Sequence, residues 1–109
     1  MRRGALPLLA TLLLAAPAAA RDLAAVHYDL LLAEYCALLD AAVIAGWEAE
    51  VADVVAAEAL DEAAQRAAAS EASIAFEREW GNRGLGGSRP WCRTEGAESA
   101  ARLAAYPAG

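Results

Sequence analysis

The chain of 109 residues has no lysine, one histidine (His27) and only two cysteines. Without lysine, Schiff-base chemistry and a phosphate-binding P-loop lysine are excluded. One histidine and two cysteines are too few for a zinc finger, a haem-attachment motif or a soft-metal site within one chain. No cofactor and no metal are therefore expected. Turn-forming residues are also scarce: from Asp22 to Glu79 there is no proline and a single glycine, Gly46. What fills that span is alanine, which has the highest helix propensity because it loses no side-chain entropy on ordering.

The first twenty residues have a different character. A basic start, Arg2 and Arg3, precedes an apolar stretch from Leu6 to Ala16, and Ala18 and Ala20 place small residues ahead of Arg21. That order is the pattern of a cleavable secretory signal, cut between Ala20 and Arg21. The apolar stretch is too short to span a hydrocarbon core of ~30 Å. The expectation is a signal peptide over 1–20, a single helical domain over 21–109, and a bacterial periplasmic or secreted destination with no stable membrane anchor.

In an oxidising compartment Cys36 and Cys92 are expected to form a structural disulfide. The bond would close a loop of 56 residues, for which chain entropy gives ~4 kcal/mol of stabilisation. A redox role is disfavoured, since reactive pairs sit close together as Cys-x-x-Cys.

Charge is one-sided. After removal of the signal, seven arginines face fifteen carboxylates, net −8. Neither nucleic acid nor anionic membrane is thus expected as a partner of the body as a whole. Residues 22–77 hold twelve acids and one arginine, Arg66, whereas residues 78–109 hold five arginines and three acids. Docking of the basic tail on the acidic body accounts for this split.

Apolar periodicity predicts an all-α fold, a small three- or four-helix bundle. The expected helices cover about 22–39, 41–58, 61–80 and 95–106. Asp22, Asp40, Asp61 and Thr94 are the expected N-caps. In the first helix Leu32, Cys36 and Leu39 share a stripe, with Tyr28 and Tyr35 beside it. In the second the stripe is Ile44, Trp47, Val51, Val54 and Val55, with Glu48, Glu50 and Asp53 on the flank and outer face. The valines Val43, Val54 and Val55 have two candidate partners, the chain's own core or a second copy. The third presents Ala69, Ala72, Phe76 and Trp80 and is expected to stop at Gly81. Two points stay open: whether the first two helices are continuous, and whether Gly46 marks a bend.

The most unusual stretch is 81–93, with four glycines, three arginines and Trp91. It is expected to be an ordered loop pinned by Cys92. Arg83, Arg89, Trp91 and Arg93 are the candidate interaction residues, because tryptophan and arginine dominate interface hot spots. The leading functional expectation is a small exported, non-catalytic interaction or accessory protein that binds another periplasmic protein through this loop. One alternative uses the same loop for a small molecule or anion, glycine N–H groups converging on it with arginine donors. The glycine spacing matches no nucleotide-binding fingerprint. The competing structural reading covers the open end of the bundle with the loop, its arginines paired to Glu77, Glu79 and the acidic helices. Another alternative is an acid-responsive chaperone-like protein, since small acid-activated periplasmic chaperones share this broad outline. At a pH of about 2–3 the mature chain swings from −8 towards about +8. An enzyme is not expected. Glu77 and Glu79 flank Arg78 beside Trp80, but two residues apart on a helix they point in different directions. His27 is expected to be lightly packed or solvent-facing, with no nucleophile beside it.

Overall fold

The structure, a computed structural model, describes residues 21–83 and 87–107. The proposed signal, Ala20 included, and residues 84–86 lie outside the described residues. Those described are helical and carry no strand. Helix α1 spans Leu23–Tyr35, α2 spans Ala41–Glu58 and α3 spans Glu62–Asn82. The last rod, α4, runs through Ser88–Trp91, a π-helical turn over Cys92–Gly96 and a final α-helical section, Ala97–Ala105.

The first three helices begin in the same way. The side chains of Asp22, Asp40 and Asp61 accept from the backbone N–H groups of Ala25, Val43 and Ala64 at 2.8, 2.9 and 2.8 Å. Each cap satisfies a donor that the helix itself leaves orphaned. The helix ends depart from expectation. The chain breaks after α1, which stops at Tyr35 rather than near residue 39. Ala37 takes a left-handed φ of 59°, and the Leu38 N–H closes back on the Ala33 carbonyl at 2.8 Å. Helix α2 ends identically, with Ala59 at φ 51° and the Leu60 N–H on Val55. Helix α3, conversely, runs through Gly81 to Asn82 instead of stopping at Trp80.

The described parts of 81–93, expected as a loop, are mostly helical, with Arg83 and Gly87 outside the helices. Helix α3 occupies 81–82, and α4 starts at Ser88, well before residue 95. Pro90 lies in the first turn of α4, where the missing N–H costs no helical bond. Thr94 caps nothing. It sits inside the π turn and its hydroxyl donates back to the Pro90 carbonyl at 2.9 Å.

Helix α1 is the centre of the assembly: α2, α3 and α4 all pack on it, α2 also packs on α4, and the packing of α3 is chiefly against α1. Leu23, Val26, Ala33, Val43, Val54, Ala100 and Leu103 form the core. Each such Val or Leu contributes about 1.5–3 kcal/mol on burial. Val43 and Val54 are thus committed to the chain's own interior, with Val55 partly buried against it. The buried stripe of α2 is Val43, Gly46, Glu50 and Val54; of the expected stripe, Val54 is in the core, Trp47, Val51 and Val55 pack partly buried against it, and Ile44 faces outward at 41% exposure. Gly46 lies inside the helix and marks no bend.

A second, aromatic cluster surrounds the cross-link. Phe76 stacks on Trp91 and meets Tyr35 edge-on, with ring centroids 5.8 and 5.7 Å apart. The Cys36–Cys92 disulfide forms as expected, its Cα atoms 5.4 Å apart. The π turn of α4 carries Gly96 against that bond, where an added Cβ would lie 2.7 Å from the Cys36 sulfur.

Candidate functional site

Because α3 leans chiefly on α1, a cleft of about 720 Å³ opens across α1 between α3 and α4. Such a volume falls within the range of about 300–1,000 Å³ common for ligand sites. Its apolar lining comes from small residues, Ala24 and Ala25 of α1 with Ala72 and Ala75 of α3, together with Leu32 and Tyr28. Its polar and charged lining comes from Glu71 on α3, from Glu95, Glu98, Ser99 and Arg102 on α4, from Arg21 and Asp22 just ahead of α1, and from Asp29 midway along α1.

Asp29 is the organising group. It is 2% exposed, and Ser99 Oγ donates to its Oδ1 at 2.6 Å. Arg102 reaches both carboxylate oxygens, Nη2 to Oδ1 at 3.0 Å and Nε to Oδ2 at 3.1 Å. Arg21 Nη1 also donates to Oδ2. Burial pushes this carboxyl upward, but the hydrogen bonds from Arg102, Ser99 and Arg21 outweigh it and hold Asp29 below the usual carboxylate range. Arg21 then bridges to a second buried acid. Its Nη2 and Nε donate to Glu50 Oε1 and Oε2 at 2.6 and 3.2 Å. Glu50, expected on the flank or outer face, is 7% exposed.

None of these roles was expected from the sequence, in which Arg21 figured only as the residue after the cut. A signal was nonetheless present. Asp29 stands three and seven residues before Leu32 and Cys36, on the very stripe predicted to be buried, and an acid there demands a partner. Glu50 stands likewise seven residues after Val43 and four before Val54.

The proposed interaction residues separate. Trp91 is buried, 2% exposed, and its indole N–H donates to Glu95 at 3.2 Å. Arg83 lies 4.6 Å over the Trp91 ring and donates to Glu79 at 2.8 Å. Both therefore stabilise the fold, but these contacts stay within 79–95; among the described residues the ion pair from the basic tail to the acidic body is Arg102 on Asp29. Arg89 and Arg93 are exposed on α4. The exposed tryptophan of this end is Trp80, whose indole N–H donates to the Tyr35 hydroxyl at 3.0 Å. Glu79 is engaged by Arg83 while Glu77 is exposed.

His27 is partly packed rather than solvent-facing. Its Nδ1 accepts from the Trp47 indole at 3.4 Å, and burial pushes its pKa down. Among the described residues no three His, Cys, Asp or Glu side chains converge as a metal site, and no helix is long and apolar enough to cross a membrane. Comparison with protein-family models, characterised proteins and solved structures found no match to this chain.

Proposed function

We propose that the protein is an exported, non-catalytic interaction protein that receives a cationic, partly apolar segment of a partner polypeptide in the cleft across α1. One observation carries this reading: the cleft joins an apolar floor of alanines to walls bearing Glu71, Glu95 and Glu98. A cationic segment with small apolar side chains complements both features, and acidic walls steer it during approach. The cross-link supports the export half of the reading, since such bonds persist in oxidising compartments.

This moves the binding surface away from 81–93, because Trp91 and Arg83 are consumed by the fold. The corner formed by Tyr35, Trp80 and Ser88 keeps part of the earlier surface; it is a smaller pocket of about 200 Å³.

The test is amide-shift mapping by NMR with an acetylated, amidated peptide of alternating arginine and leucine, beside its glutamate-and-leucine counterpart. The expected result is shifts at Ala24, Ala25, Ala72 and Ala75 with the arginine peptide only. Shifts confined to the Tyr35–Trp80 corner, or none at all, would contradict the reading.

A further inference from the structure

Glu50 occupies a position that an apolar residue would fill at less cost. It projects from the inward face of α2, level with Val43 and Val54, and burying a carboxylate is expensive unless a cation meets it. The cation is Arg21, and the manner of the meeting is specific. One edge of the guanidinium, Nε and Nη2, lies against the two oxygens of Glu50, and Nη1 donates to Asp29. Two carboxylates from two helices thus grip a single planar fork along two of its edges. A round ammonium ion cannot reproduce that match.

The occupant is weakly anchored by comparison with its socket. Arg21 precedes the Asp22 cap, so the hydrogen-bonded helix begins after it. Its withdrawal would break no helical hydrogen bond, yet would leave Glu50 buried without its cation. Asp29 would keep Arg102 and Ser99. Arg21 and Asp29 also line the cleft, and Glu50 lies behind them, reached through Arg21.

We infer that Asp29 and Glu50 form a guanidinium socket which Arg21 fills in cis and which an arginine side chain of a partner polypeptide fills in its place. Arg21 is then a resident competitor: partner binding exchanges one guanidinium for another and never leaves the two acids unpaired. The socket itself requires only the two carboxylates and can be tested without any peptide; its filling by a partner's arginine rests on the cleft reading.

The experiment is chemical rescue of Arg21→Ala, read as Tm. The variant is expected to melt several degrees below the parent. Methylguanidinium at about 10 mM is expected to restore at least half of the loss by binding only the folded state, whereas methylammonium at equal concentration restores none. Adding Glu50→Gln is expected to abolish the rescue. A variant that is unfolded alone but folds with methylguanidinium gives the same answer. An unchanged Tm in Arg21→Ala, equal rescue by both cations, or no recovery with methylguanidinium overturns the socket. Failure of peptide binding in the cleft alongside successful rescue would remove the proposed function and leave the socket standing.

Discussion

Gly46 and Leu103 meet main chain to main chain: a Cβ placed on Gly46 would lie 1.6 Å from the Leu103 carbonyl oxygen. Helices α2 and α4 therefore touch at a point where only a hydrogen atom fits, and no rotamer change relieves the overlap. Gly46→Ala is expected to destabilise by at least the 1–3 kcal/mol, roughly, that overpacking costs, despite alanine's better helix propensity. Thermal denaturation checks it. A gain in Tm, as propensity alone would give, contradicts the close approach.

Ala37 and Ala59 present the opposite case. Both hold left-handed backbone conformations, which cost an L-residue roughly 1–2 kcal/mol and glycine very little. Ala37→Gly and Ala59→Gly are each expected to raise stability by about 0.5–1 kcal/mol, the unfolded chain's extra freedom offsetting part of the relief. Each kcal/mol raises Tm by roughly 4–8 °C in a domain of this size. A fall in Tm in both variants would contradict these helix ends.

Acid is expected to loosen the molecule in two stages. His27 is held below its ordinary value by burial, so its contribution is full above about pH 6.5 and is lost as pH falls through the lower folded value. Asp29 is also held low, burial being outweighed by its arginine and serine donors. Its contribution is full above about pH 3.9 and disappears as pH drops through the depressed value. Asp29→Asn is expected to cost about 3 kcal/mol at pH 7, as for breaking a buried pair, and the gap to the parent is expected to close under strong acid. Urea unfolding at a series of pH values measures it. A gap that stays constant down to pH ~2 would contradict the role given to this carboxylate.

The helical class, the three aspartate caps and the Cys36–Cys92 pair were legible because each rests on local chemistry: alanine content, an acid before an apolar run, two thiols. The helix ends were less so. Ala37 and Ala59 do the work of terminal glycines without announcing it, and Gly81, which does resemble a stop, is helical. On α2 the expected Trp47, Val51, Val54 and Val55 do pack on the core, but Gly46 and Glu50 at its middle were missed, because apolar periodicity does not count a glycine or an acid. Trp91 drew attention as an interface residue by its type, yet the cross-link at Cys92 draws it into the interior beside Phe76. The cleft was hidden for a deeper reason. It depends on which helix α3 leans against, and that long-range choice leaves no local trace.

The central claim is that acidic walls over an alanine floor hold a cationic chain. Glu71 and Glu98 line the cleft, are exposed and lie outside the buried network, so Glu71→Gln with Glu98→Gln leaves the fold intact. Calorimetric titration of parent and double variant with the arginine-and-leucine peptide tests the claim most directly. The account predicts an affinity about tenfold weaker in the variant, equal to about 1.4 kcal/mol; equal affinities, or binding by neither protein, would contradict it.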